Sequence, residues 1–132
     1  MVISTEQKSV NASKKDLFIF LSEVSNFEHI MPENISVFSV IDENAFKFAL
    51  KGMPEIVLKF EERTPNERII LGSTNEQFPF QLKVIIGGTD SQSALSLNFN
   101  GSFNPMISMM IKSPLTSFME TLSSKTIQHF AA

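Results

Sequence analysis

The residues that could do chemistry are few and scattered. His29 stands beside Glu28, just before Pro32, and an imidazole there could act as a general base near neutral pH. A surface histidine in a connector is the plainer account. His129 lies in what reads as a last helical turn, where its charge favours the helix C-terminus. Zinc needs three or four converging ligands, and two distant histidines in a chain without cysteine do not supply them. Asp16, Asp42 and Asp90 sit at a helix start or at turns, which capping and turn chemistry explain. Glu55, Glu61 and Glu62 fall on strand faces opposite the apolar stripe, so no carboxylate pair is expected inside. Arg63 and Arg68 flank the turn Thr64 to Glu67. Either could grip a ligand carboxylate through its planar fork, or simply be solvated beside Glu61, Glu62 and Glu67. The sequence has no Gly-x-Ser-x-Gly elbow, no Gly-x-Gly-x-x-Gly and no P-loop. Nucleophilic, phosphoryl-transfer and nicotinamide chemistry thus lack support, and the expectation is no catalytic residue, no metal and no cofactor.

Whatever this chain does must therefore come from its shape. It has 132 residues, of which 42% are hydrophobic and 19% charged, enough for one well-buried core and too apolar for disorder. A net charge of −3 argues against tracking nucleic-acid phosphates. The 13 Phe come with neither Tyr nor Trp, so the interior has few polar handles to orient a ligand. No apolar run approaches the roughly 20 residues that span a bilayer, and the first residues carry no signal-peptide pattern. A cytoplasmic, single-domain protein over residues 1–132 is expected.

The elements that must provide the shape follow from periodicity. Residues Val2 to Val10 read as a first strand. Asn11-Ala12-Ser13 offers caps to a helix from Lys14 to Val24, with Leu17, Phe18, Leu21 and Val24 inward. A second, very short helix carries Phe27, Ile30 and Met31 and ends at Pro32. The period then changes from about 3.6 to 2. Strands follow around Ile35–Ile41, Phe46–Leu50, Ile56–Phe60, Arg68–Gly72, Phe78–Ile86 and Leu95–Phe103. The turns are Asp42-Glu43-Asn44, Gly52-Met53-Pro54, Thr64 to Glu67, a polar loop Ser73 to Gln77, and Gly87-Gly88-Thr89-Asp90. Connections this short hold no crossover helix, so the sheet is antiparallel.

One face of that sheet is apolar and needs a cover. Pro105 suits the first position of a long helix, in which Ile107, Ile111, Leu115, Phe118, Met119, Leu122 and Phe130 share one side. Pro114 should kink it or start a new turn. Met106, Met109 and Met110 make its first part apolar nearly all round. The fold class is α+β: a helix-grip, with a curved seven-stranded antiparallel sheet around a long C-terminal helix and two short helices between strands one and two.

This order of elements resembles the START-like superfamily, which includes the birch pollen allergens, polyketide cyclases and coenzyme-Q-binding proteins. The residues that carry the likeness are Ser13 to Ser22, Asn26 to Pro32, Phe78-Pro79-Phe80 and Asn104-Pro105-Met106, as in small single-domain bacterial members. The glycine-rich loop of the pollen allergens has no counterpart here. The resemblance implies a cavity between sheet and helix, used in the superfamily for lipids, sterols, polyketides or quinones.

Phe48, Phe60, Phe78, Phe80, Leu97 and Phe99 from the strands should line that space. Ile111, Leu115, Phe118 and Leu122 should face them from the helix, with Met110 near one end. These side chains either fill a solid core or surround a ligand cavity. Patterning does not separate the two. The three methionines could form a pliable gate, pack on the short helices, or contact another copy in a homodimer. The leading expectation is a binder of a small hydrophobic molecule of lipid, polyketide or quinone type. The alternatives are a cyclase-like enzyme and a protein-interaction module with a filled core.

Overall fold

A computed structural model describes residues 1–76 and 78–131. Gln77, at the end of the expected polar loop, and Ala132 lie outside them. The strands are β1 (Val2–Ser4), β2 (Lys8–Val10), β3 (Ile35–Asp42), β4 (Ala45–Leu50), β5 (Ile56–Thr64), β6 (Arg68–Ser73), β7 (Phe80–Gly88) and β8 (Ser93–Gly101). The helices are α1 (Lys14–Ser22), a 3-10 helix (Val24–Ile30) and α2 (Pro105–His129). All strand pairs are antiparallel, in the order β1-β8-β7-β6-β5-β4-β3, with β2 also on β8.

The inner face is built by register. Phe60 pairs with Leu71, Leu71 with Leu82, Leu82 with Phe99 and Phe99 with Ile3. This apolar row crosses five strands, and every member is buried. A second row runs Ile69, Val84, Leu97. Alternation puts both rows on one face, and α2 covers it, resting against β8, β1, β2 and the 3-10 helix. The architecture is the helix-grip that the pattern predicts.

Several boundaries differ from the sequence reading. The first strand is broken in two, because Thr5 bonds Leu97 in a different way from a regular ladder. Its hydroxyl accepts the Leu97 N–H at 2.9 Å, while its own N–H donates to the Leu97 carbonyl. Helix α1 ends at Ser22 rather than Val24. There the Asn26 amide donates to the Phe20 carbonyl at 2.9 Å, satisfying a helix-end acceptor from the side. Val24 instead opens the 3-10 helix. The Ser13 cap forms as expected, accepting from the Asp16 N–H at 3.0 Å. Strand β7 starts at Phe80, not Phe78, and β8 stops before Phe103. Gly87 and Gly88 belong to the end of β7, and the hairpin turns at Thr89 to Gln92.

Helix α2 is one continuous element. Asn104 caps it by accepting from the Ile107 N–H at 2.9 Å, and Pro105 takes the first turn. Pro114 removes a backbone donor, yet the helix runs through it. Ile111 and Leu115, both buried, hold the chain on either side of it. The methionines point away from this packing: Met106 is 72%, Met109 83% and Met110 69% exposed. Burial against the short helices is therefore not their role. At the sheet's margin, β3 exposes Val40 and Ile41 and shifts register twice, between Ile35 and Val37 and between Val40 and Asp42.

Candidate functional site

Of the aromatic residues expected between sheet and helix, Phe48 and Phe118 join the two. Phe48 stacks on Phe118 with ring centres 5.1 Å apart and planes nearly parallel. Phe80 lies 4.8 Å from Phe99, and Phe60 meets Phe27 edge-on at 5.9 Å. Leu97, Ile111, Leu115 and Leu122 are buried with them. Phe78 is half-buried at the margin, against Phe103 at 4.7 Å. Met110 is not brought inside.

These side chains leave little space. The interior void bounded by Leu21, Phe27, Ile30, Leu82 and Leu122 measures about 10 Å³. That is room for about one water, and its one polar neighbour is already bonded: the Thr126 hydroxyl donates to the Leu122 carbonyl at 2.7 Å. At this point the interior has no room for a ligand.

One open groove lies at the end of the core, where α2 meets the turn after β4. A groove of about 410 Å³ runs between Pro32 and Asn34, the segment Leu50 to Met53, and the α2 residues Ser113 to Thr121. Phe118 is part of its wall, so the groove abuts the Phe48–Phe118 stack. Its shape follows from the chain. The Lys51 N–H donates to the Asn34 carbonyl and the Met53 N–H to the Leu50 carbonyl, both at 2.9 Å. Gly52 sits between them at φ +85°, a conformation that L side chains rarely adopt. On the opposite wall, Ser113, Ser117 and Thr121 recur at i, i+4 and i+8, so their hydroxyls share one stripe. The side chains of Asn34, Lys51, Ser113, Ser117 and Thr121 make no hydrogen bond to any described residue. Leu50, Met53, Pro114 and Phe118 supply apolar surface.

The sequence reading missed this groove. Its signal was present in the hydroxyl spacing along α2, which borders the apolar stripe and reads as ordinary solvated face.

The remaining candidates are structural or solvated. Arg63 is neither a ligand clamp nor a merely solvated charge. Its guanidinium donates to the Ser22 carbonyl at the end of α1, to Asn44 Oδ1 at 2.7 Å and to the Glu43 carbonyl at 3.0 Å. It also covers the Phe60 ring at 4.0 Å. Arg68 pairs with Glu62, whose carboxylate also accepts from the Thr64 hydroxyl. The Thr64 hydrogen bond first, then Arg68, lowers the Glu62 pKa below its ordinary value. His29 is exposed on the 3-10 helix. His129 stacks on Phe20 at 4.1 Å at the α2 terminus. Among the described residues no three His, Cys, Asp or Glu side chains cluster to hold a metal. No helix among the described residues is long and apolar enough to cross a membrane.

No family model matches the sequence, and no curated protein matches it. Solved structures do match in shape. A START superfamily protein from Mycobacterium smegmatis superposes with a TM-score of 0.69 at 12% identity, covering 98% of this chain and 99% of that one. The protein XoxI from Bacillus cereus gives 0.75 at 10% identity over 98% of this chain and 94% of its own. The Aha1 dimer from Colwellia psychrerythraea gives 0.64 at 12% identity, covering 96% of each chain. The chain has the START-like fold.

Proposed function

We propose that this START-like chain binds a small hydrophobic or amphiphilic molecule where α2 meets the end of the sheet. The observation that carries this is the groove of about 410 Å³ against the Phe48–Phe118 stack. Its volume falls within the roughly 300–1,000 Å³ of small-molecule sites, and it combines apolar wall with a few unpaired polar groups. A ligand of lipid, polyketide or quinone type fits that mixture. Affinity would come mainly from apolar area removed from water, at about 25 cal/mol per Å². Phe118 forms the inner wall, with Phe48 stacked on it. Phe60, Phe80, Leu97, Phe99, Ile111, Leu115 and Leu122 are buried and do not line the groove. A cytoplasmic location goes with this reading.

The test is a native mass spectrum of protein purified from its own host, followed by backbone amide shifts on adding the host's lipid extract. A lipid-like adduct, with shifts concentrated at Leu50 to Met53 and Ser113 to Thr121, supports the proposal. No adduct and no shift at those positions overturns it.

A second reading is a protein-interaction module. The interior void of about 10 Å³ and the exposed Met106, Met109 and Met110 favour it. Large exposed apolar patches mark contact sites, and a homodimer through them is the simplest case. Replacing Met109 and Met110 with Asp should then lower the mass measured by light scattering to that of one chain. An unchanged mass rejects the contact. A cyclase-like enzyme would need an acid or base facing inward, whereas among the described residues the buried polar side chains are those of Ser93, Ser123 and Thr126.

A further inference from the structure

We infer that the polar wall of the groove receives a carboxylate, so that its ligand is a long-chain carboxylic acid anion. The inference rests on the groove being the ligand site. Ten residues line it, and among them Lys51 is the one cation while none is an acid. In a chain with 14 acidic and 11 basic residues, that local balance selects against a cationic ligand. The three acids nearest in sequence, Glu33, Glu55 and Glu120, stand outside the groove lining, although the depression that holds Glu33 and Glu120 shares Ser117 and Thr121 with it. Glu55 pairs with Lys47 at 3.7 Å, and Glu33 lines the adjoining depression with Glu120 and Lys125.

The polar groups on offer are donors. An ammonium only donates, and the hydroxyls of Ser113, Ser117 and Thr121 and the Asn34 amide donate readily. All stand without a partner among the described residues. A ligand oxygen bearing negative charge accepts from such groups more strongly than a neutral one. Lys51 stands at the mouth on a turn fixed by Gly52 and by its own N–H bond to Asn34. The ligand's tail would run along Leu50, Met53, Pro114 and Phe118, and the unbranched Met53 side chain adapts to its shape. A single lysine balances one negative charge, which favours a carboxylate over a phosphate dianion.

The experiment is calorimetric titration of the whole chain with four twelve-carbon amphiphiles below their micelle concentrations: dodecanoate, dodecanol, dodecyl phosphate and dodecyltrimethylammonium. Dodecanoate should bind about two- to fivefold tighter than dodecanol, as an ion pair at an exposed rim allows. It should also bind at least as tightly as dodecyl phosphate, with the ammonium weakest. Lys51→Gln should erase the preference over dodecanol. Equal binding of dodecanoate and dodecanol, or a preference that survives Lys51→Gln, overturns the inference and leaves the groove as a site. Tighter binding of dodecyl phosphate overturns the carboxylate assignment. If none of the four binds, the proposed site fails and this inference fails with it.

Discussion

Replacing Phe118 with alanine tests whether α2 is seated as described. The ring is 4% exposed and lies against Phe48, with centres 5.1 Å apart and planes 4° from parallel. Removing a buried phenylalanine side chain costs about 3–5 kcal/mol, depending on how far the site can collapse or fill. Here one side of the ring faces the groove, so water can enter the vacated space. The lower end, about 3 kcal/mol, is therefore expected. For a domain of this length that is roughly a 10 °C fall in Tm, and a large part of a typical stability of about 5–15 kcal/mol. The stack itself should appear as a coupling of about 0.5–1.5 kcal/mol in a double-mutant cycle with Phe48→Ala. Urea unfolding followed by far-ultraviolet circular dichroism is the assay, because the chain has no Trp or Tyr to report by fluorescence. The slope m should stay constant across the four proteins. A loss below about 1 kcal/mol for Phe118→Ala, or no coupling to Phe48, would refute the packing of α2 on β4.

Three further outcomes follow from named contacts. Arg63→Ala should cost about 2–3 kcal/mol, because it strips a charged donor from the Ser22 and Glu43 carbonyls and from Asn44. Arg63→Lys should recover less than half in thermal melts, since an ammonium cannot fork to all three; full recovery counts against the clamp. Ser123 is 0% exposed and its hydroxyl has no hydrogen-bond partner, so Ser123→Ala should be neutral or stabilise by up to about 1 kcal/mol. A clear drop in the urea midpoint would point to a missed partner. Glu62 has a lowered pKa, so its carboxylate adds stability above its ordinary value of 4.5, and that contribution is lost as pH falls through the lower, folded value. Glu62→Gln should accordingly lower Tm at pH 7 and converge on the wild-type Tm in acid; a constant gap across that range would be inconsistent with the linkage.

The fold was legible because alternation is a strong, redundant signal. Phe60, Leu71, Leu82 and Phe99 each sit at an inward position in their own alternating segment, and the structure aligns them, with Ile3, into one row. Boundaries were less legible where a side chain replaces a backbone partner, as Thr5 does for Leu97 and Asn26 for Phe20. No period encodes those bonds. The role of Arg63 was hidden for a related reason: its partners in α1 and the β3–β4 turn are 19 to 41 residues away. The site was half legible. Phe48 and Phe118 could be paired from their faces, but whether they enclose space depends on packing distances of an ångström or so. Met110 shows the opposite limit. Its apolar character is plain in the sequence, and only the end of the packing surface near Ile111 leaves it in water.

The margins of the sheet carry a consequence for how copies of this chain avoid joining into fibrils. An unpaired strand is a template for another. On one side the exposed rim is cut into β1 and β2, three residues each, too brief to nucleate growth. On the other, β3 is long and carries Val40 and Ile41 in the open. Its two slips leave only Val37 to Val40 in uninterrupted step with β4. An incoming segment would find four consecutive residues in step before the spacing fails, so the irregularities near Ile35 and Asp42 act as breaks against runaway stacking. Straightening either one would turn the most apolar rim of the molecule into a seam for polymerisation.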